Sequence, residues 1–243
     1  MGLTAGYRYD GDTWQFQLTG TAFGSAHTGD MIDSDWLDPT QPNRLAYYSR
    51  SDTQLNSALM TDILLLQRIK NTRFSIGIGY QVTEWALNIT NVRQDNYISG
   101  DRYVSPPFQT RYAGVAMTYD ARHTMIYTAV QYDQVIAPYA ITAMLGYAGN
   151  ARMIDTDDHL LRGKRMQAEA TGPALRYRLM LSRAIGSLSH AVRAFIEIAG
   201  QSSDLAGVQT QVFYTDPTQD PIMIQYQSRL ALSVITVGIT ATY

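Results

Sequence analysis

The chain has 243 residues, a net charge of −2 and no cysteine. At this length we predict a single domain over residues 1–243, since β-barrels and sandwiches often reach this size undivided. The near-neutral charge gives no reason to expect nucleic acid as a partner, because nucleic acid favours a basic face. The lack of cysteine excludes disulfides and thiolate metal sites. The sequence contains no apolar run of about 18 residues, so no membrane-spanning helix is predicted.

Alternation of apolar and polar residues with a period of two dominates the chain and predicts β-strands. Nine strands are predicted in chain order, at residues 3–9, 13–27, 53–69, 73–92, 111–133, 138–155, 164–184, 189–203 and 222–243. Tight turns are predicted at 9–12, 70–72 and 185–189, and long polar loops at 28–52, 93–110 and 204–221. The connection at 156–163 is predicted to be shorter. Short turns at one end and long loops at the other are typical of outer-membrane barrels.

The two faces of the predicted strands differ in chemistry. In "RFSIGIGYQV", residues 73–82, large apolar side chains alternate with Ser, Gly and Gln. The positions predicted to face lipid include Ile76, Ile78, Val192, Ile196, Val237 and Ile239. The positions predicted to face the lumen include Arg176, Arg178, Arg193 and Glu197. This pattern predicts an antiparallel transmembrane β-barrel. A soluble sheet with one wet face is the alternative.

Two acidic clusters stand out in a chain that is only 16% charged. The first, "GDMIDSDWLD", contains Asp33 and Asp35. The second, "IDTDDHLLRGKR", contains Asp155, Asp157 and His159. Side chains two residues apart on an extended chain point the same way, so the first cluster forms a pair and the second a row. A carboxylate near a His can orient its ring, and a facing carboxylate pair could hold a water for general-base attack on a carbonyl.

Several simpler interpretations of these clusters stay open. Acidic loops are most often only solvated, and oxygen-rich loops also suit calcium. The segment "DMIDSDWLDP" lacks the D-x-D-x-D-G order of an EF-hand, however. At most one His per cluster and no Cys disfavour zinc. A serine hydrolase is disfavoured because the sequence has no G-x-S-x-G motif.

At these residues the chain resembles the omptin family, the outer-membrane aspartyl-type endopeptidases of Gram-negative bacteria. "DMIDSDWLDP" resembles the family's D-x-D-W loop, and "SRSDTQLN" at 49–56 resembles the segment that enters the next strand. "DTDDH" at 155–159 resembles the family's D-x-D-E-H loop and is followed by "GKR" at 163–165. The resemblance spans nearly the whole chain.

The resemblance implies a barrel of ten strands, of which about nine are present here, with a substrate groove at its outer rim. It implies an endopeptidase that cleaves next to Arg or Lys, with water as the nucleophile and no acyl-enzyme. The catalytic residues it implies are the couple Asp33 and Asp35 and the dyad Asp157 and His159. The substrate-binding residues it implies are Asp155, in the pocket for the basic residue, and Met31 and Met117, on the far side of the groove. Tyr80 and Arg122 align with positions that contact lipopolysaccharide.

The resemblance also implies where the protein works and with what. The expected location is the outer membrane of a Gram-negative bacterium, with the active site facing outward. The expected partners are peptides or proteins with basic residues and outer-membrane lipid. No metal or cofactor is expected, apart from lipopolysaccharide as an activator. The family's first strand and first outer loop are expected to be missing. Two other functions stay open: a non-catalytic barrel that acts as an adhesin or surface-binding protein, and a passive pore.

Overall fold

The computed structural model describes residues 2–35, 45–99, 102–185, 192–214 and 218–241. These residues form one sheet of ten β-strands. The strands are β1 Gly2–Asp10, β2 Trp14–Phe23, β3 Ala26–Asp35, β4 Tyr47–Arg68, β5 Phe74–Ser99, β6 Arg102–Ile136, β7 Tyr139–His159, β8 Lys164–Ala184, β9 Val192–Phe213 and β10 Ile222–Ala241. In this part of the chain, no helix is long and apolar enough to cross a membrane.

Apart from β2 and β3, strands that follow one another in the chain are neighbours in the sheet, and every pairing is antiparallel. Strands β2 and β3 share one position, because β2 pairs with residues 58–67 of β4 and β3 with residues 47–55. Nine strand positions result, in agreement with the nine predicted strands. Within the described residues, the edge strands β1 and β10 are not paired with each other, so the sheet is open.

The outer face of the sheet is apolar. All six positions predicted to face lipid are exposed, with exposed fractions that range from 37% for Val192 to 77% for Val237. Large apolar residues are exposed at neighbouring positions of most strands as well, including Leu65, Val130, Leu145, Leu179 and Ile235. Side chains that would be costly to expose to water thus form a surface suited to lipid, and the predicted outward orientation is confirmed.

The inner face carries a buried ion pair. The Arg176 side chain is only 4% exposed, and its Nη2 lies 3.2 Å from Oδ2 of Asp62 on β4. Tyr127 on β6 donates a hydrogen bond of 2.7 Å to Oδ1 of the same carboxylate. Because both oxygens of Asp62 and one end of Arg176 are engaged, the charges connect three strands across the interior.

The other charges predicted to face the lumen also point inward. Nε of Arg178 lies 3.9 Å from Oε2 of Glu197. Arg193 donates a 2.9 Å hydrogen bond from Nε to the hydroxyl of the buried residue Ser182. The inward orientation predicted for these residues is confirmed, and their pairing is what a filled, narrow interior requires.

The prediction of long loops at 28–52, 93–110 and 204–221 is largely wrong. Strand β3 extends to Asp35 and β5 to Ser99, while β6 begins at Arg102 and β9 extends to Phe213. Strand β7 likewise continues to His159, into the predicted connection at 156–163. The strands keep pairing beyond the segments in which apolar and polar residues alternate. Parts of the predicted segments lie outside the described residues. These parts are residues 36–44, most of the turn predicted at 185–189, residues 189–191 and residues 242–243.

The strands are therefore much longer than a membrane requires. Strand β6 has 35 residues and β5 has 26, whereas about 9–11 tilted residues cross the hydrocarbon of a bilayer. The excess lies at one end of the sheet, which we call the extended end. Both acidic clusters are on strands of this end, at the carboxyl ends of β3 and β7.

Candidate active site

The first acidic cluster lies on β3, alongside the extended part of β4. Met31 pairs with Ser51 and Asp33 with Ser49. Both Met31 and Asp33 are half-buried, whereas the intervening Ile32 is 60% exposed. The two residues therefore share the inner face. The backbone of Asp35 pairs with that of Tyr47, but its side chain lies outside the described residues.

A glycine sets the orientation of this cluster. The register between β3 and β4 shifts between His27 and Gly29, and Gly29 has a φ of 111°. Glycine adopts this left-handed region without the steric cost that other residues incur. An extra residue at a β-bulge changes which face the following side chains occupy. The bulge thus determines that Met31 and Asp33 point inward.

The second acidic cluster ends strand β7. Asp157 pairs with Tyr119 of β6 and His159 with Met117. The imidazole Nε2 of His159 lies 3.2 Å from Oδ2 of Asp157, and these side chains are only 14% and 13% exposed. The contact is short enough for a hydrogen bond, and the low exposure shields it from solvent. Oδ1 of Asp157 is buried and has no hydrogen-bond partner within the described part of the chain.

The residue between the dyad members points the other way. Asp158 forms an ion pair with the exposed Arg165, with 2.6 Å between Nη2 and Oδ2. The chain then turns at once, because the amide of Arg162 donates a 3.1 Å hydrogen bond to the carbonyl of His159. The alternation of a strand thus continues to His159 and separates the inward dyad from an outward acid.

A cavity of about 210 Å³ brings the two clusters together. Its lining includes four of the predicted site residues, which are Met31, Asp33, Met117 and His159. The remaining lining residues are Ser49, Ser51, Ile89, Val92, Gln94, Tyr112, Ala116, Leu161 and Arg162. A carboxylate and an imidazole from strands more than a hundred residues apart thus share one cavity. Apolar side chains such as Ile89 and Leu161 also line the cavity.

Asp155 lies deeper in the interior and does not line this cavity. It is 2% exposed, and its Oδ2 accepts hydrogen bonds from the hydroxyls of Tyr226, at 2.6 Å, and Tyr119, at 3.2 Å. Burial raises the pKa of Asp155 above its usual value, the two tyrosine hydrogen bonds offset part of the rise, and the charge of Asp157 adds to it. Burial and the contact with Asp155 also raise the pKa of both tyrosines, so they stay protonated donors at neutral pH.

The two residues predicted to contact lipopolysaccharide lie on the outer face, away from the cavity. Tyr80 is 42% exposed, among the apolar side chains of β5. Arg122 lies further towards the extended end, where its Nε is 3.3 Å from Oε1 of Glu84. The predicted site residues thus form two groups, one inside the sheet and one on its outer surface.

No metal site is visible in the described ranges, where no three His, Asp or Glu side chains come close enough together to hold an ion. The chemistry that this arrangement offers is acid–base chemistry. A neutral imidazole can take a proton from water, and a carboxylate on the opposite side of the cavity can accept a hydrogen bond from the same water.

Sequence reasoning missed several residues of the site. Tyr119 could have been found, since a strand register that pairs β6 with β7 places it beside Asp157. Tyr226 carries no local signal, because it lies 71 residues from its partner Asp155. Ser49 and Arg162 line the cavity, and both lie in segments that the sequence analysis quotes without giving either residue a role.

Comparisons with known proteins place these features in context. The model of the Omptin family matches residues 2–243. Protease 7 of Escherichia coli K12 is 29% identical over 148 residues, a segment that covers 57% of this chain and 44% of that protein. Protease 7 of Escherichia coli O157:H7 gives the same values. The matched segment thus spans less than half the length of these relatives.

The fold has a close counterpart among solved structures. The crystal structure of the outer membrane protease OmpT from Escherichia coli superposes with a TM-score of 0.77. The superposition covers 95% of this chain and 79% of that one, at 18% sequence identity. At this identity the likeness establishes the fold alone.

Proposed function

This chain belongs to the omptin family, and from its site we propose that it is an outer-membrane endopeptidase that cleaves next to basic residues. The observation that carries the proposal is that Asp33 and His159 line one cavity, with Asp157 at hydrogen-bonding distance behind the imidazole. A site that only binds a partner has no need of a histidine oriented in this way. The relative named Protease 7 supports the same activity.

The proposed reaction uses a water held between Asp33 and His159. When Nε2 of His159 donates its proton to Asp157, Nδ1 is left as the acceptor. The water then attacks the carbonyl carbon of the scissile bond, and its proton passes to His159. The imidazolium, stabilised by Asp157, returns this proton to the leaving amine, so two peptide fragments form without an acyl-enzyme. We assign Asp35 to the orientation of the same water.

Two regions beside the dyad would hold the substrate. Asp155 lies on the same face as Asp157 and one alternation deeper, roughly 7 Å along the strand. Its carboxylate is suited to the basic residue before the scissile bond. Met31 and Met117 line the cavity with Asp33 and His159, and we assign them to the residue after the bond.

The outer surface supports a location in the outer membrane. Its apolar side chains suit lipid, and the site lies at the extended end, which would stand outside the bilayer and face outward. Tyr80 and Arg122 are both exposed on the outer face, and we propose that lipid headgroups contact them. We therefore propose that lipopolysaccharide binds there as an activator. Glu84 already pairs with Arg122 and would compete with a phosphate.

The catalytic proposal is tested by cleavage of peptides that contain one basic residue, with the protein in vesicles that contain lipopolysaccharide. His159→Ala should lower kcat by about 10²–10⁴-fold, the usual contribution of a positioned general base. Asp33→Ala should lower it comparably, because the water loses a partner. EDTA should leave cleavage unchanged, since no metal takes part in the proposed steps.

A matched control comes from the same strand end. Asp158→Asn removes an acid one residue from His159, but this acid points outward and pairs with Arg165. It should retain wild-type kcat. Wild-type turnover in His159→Ala, or loss of activity with EDTA, would exclude the proposed mechanism.

A further inference from the structure

We propose that the specificity pocket selects lysine over arginine, because Tyr119 and Tyr226 together occupy one oxygen of the Asp155 carboxylate. This inference rests on the proposed function, and it assigns the two tyrosines as positioning residues that act through Asp155. It concerns which basic side chain the pocket accepts.

The contacts on Asp155 are one-sided. Both hydroxyls donate to the same atom, Oδ2, at 2.6 Å from Tyr226 and 3.2 Å from Tyr119. A carboxylate oxygen has about two lone-pair sites, so two donors saturate Oδ2. Both side-chain donors are on Oδ2, so we infer that Oδ1 is the oxygen that faces a substrate cation.

The surrounding structure keeps the carboxylate in this orientation. Asp155 is 2% exposed, and its two donors come from separate strands, β6 and β10. A rotation that freed Oδ2 would break both hydrogen bonds at once, in an interior from which solvent is largely excluded. The backbone amide of Ala168 on β8 also favours the ionised carboxylate. Asp155 is thus held from three strands.

The two basic side chains require different things of a carboxylate. The guanidinium of arginine is planar and binds best with two parallel hydrogen bonds, one to each oxygen. The ammonium of lysine is a compact charge that a single oxygen can accept. With Oδ2 saturated, arginine loses its second hydrogen bond, whereas lysine loses nothing. The pocket should therefore prefer lysine.

The test uses a pair of peptides that differ only by Lys or Arg before the scissile bond. For the wild-type protein in vesicles that contain lipopolysaccharide, kcat/KM for the Lys peptide should exceed that for the Arg peptide by about tenfold, the effect of one hydrogen bond. Tyr226→Phe and Tyr119→Phe each free a lone pair of Oδ2, so each should move the ratio several-fold towards Arg. The ratio does not depend on how much of a variant folds, since both peptides report on the same active molecules.

A matched control is Tyr147→Phe, which removes the same hydroxyl from an exposed residue on the outer face. It should keep the wild-type ratio. Equal or better cleavage of the Arg peptide by the wild-type protein would overturn the inference and leave the endopeptidase proposal standing. An unchanged ratio in both Tyr→Phe variants would overturn it as well. If neither peptide were cleaved, the proposed function would fail, and the inference would fail with it.

Discussion

At the scale of single residues, the burial of Asp155 opposes the charge that its proposed role requires. Only the ionised carboxylate attracts a basic side chain, yet burial raises the pKa of this group. When the pH is lowered, recognition of the basic side chain should therefore be lost earlier than it would be with an exposed aspartate. An exposed aspartate titrates near about 4. The relevant measure is the ratio of kcat/KM for a Lys peptide to kcat/KM for its norleucine counterpart, because protonation of His159 affects both peptides equally.

The control for this prediction is Asp155→Asn. The variant should show a ratio near one at every pH, because its pocket carries no charge. Some groups have a higher pKa in the folded protein than in the unfolded chain. Such a group stabilises the fold at a pH below its unfolded pKa, and this stabilisation is lost as the pH rises through the folded pKa. The ionised Asp155 therefore stabilises the fold less than the protonated form does, and Asn, which can still accept from both tyrosines, should not lower the free energy of unfolding. A wild-type ratio that stays constant down to pH 4 would contradict the pocket assignment.

At the scale of strands, two glycines make room for Tyr127. A Cβ on Gly79 of β5 would lie 2.2 Å from the tyrosine Cζ, and one on Gly146 of β7 would lie 2.6 Å from its Cδ2. The ring cannot easily move aside, since its hydroxyl is bonded to Asp62 at 2.7 Å and the residue is 1% exposed. Because Gly79 and Gly146 have no side chains, the ring of Tyr127 fits between the strands on either side of β6.

Gly79→Ala should therefore destabilise the sheet by about 1–3 kcal/mol, the usual cost of overpacking. The measurement is urea unfolding of the protein in lipid vesicles, followed by tryptophan fluorescence. Gly20→Ala is the matched control, because this strand glycine has nothing within 4 Å of its would-be Cβ, and its stability should not fall. Equal stability of the two variants would show that the ring is not confined.

The same scale shows what could be predicted from the sequence. Alternation assigned Ile78 to the outer face and Arg176 to the lumen correctly, because lipid on one side and packed polar groups on the other impose a strict period of two. It failed at the extended end, where Ser99 and Phe213 end strands that were predicted to stop earlier. Backbone pairing continues there, and it does not by itself require apolar and polar residues to alternate.

From spacing in the sequence alone, without the family resemblance, the site was predictable only where it is local. Asp157 and His159 are two residues apart, so an extended chain places them on one face, and the structure has them 3.2 Å apart. The two tyrosines on Asp155 depend on how β6 and β10 meet it across the interior. Such a contact is set by the curvature and register of the whole sheet, which no short pattern encodes.

At the scale of the whole molecule, the interior connects opposite strands through charge. The pair Asp62–Arg176 joins β4 to β8, which are four positions apart in the sheet order. Arg178 of β8 similarly donates to Gln17 of β2 at 2.5 Å. These contacts occupy the interior that a passive pore would need to leave open. They also connect β8 directly to β4 and β2. The backbone hydrogen bonds of the sheet connect these strands only through the strands between them.

Removal of one partner should be far more harmful than removal of both. Asp62→Ala leaves the Arg176 guanidinium buried without its counter-charge, which typically costs about 3–5 kcal/mol. The double variant Asp62→Leu with Arg176→Met replaces the pair by apolar side chains of similar size and should recover most of that loss. Urea unfolding in vesicles measures both changes. Asp204→Ala is the control, because its pair with Arg229 is exposed on both sides and should contribute little. A double variant as unstable as Asp62→Ala would mean that the pair acts through its hydrogen bonds to Tyr127 and the backbone rather than through mutual neutralisation.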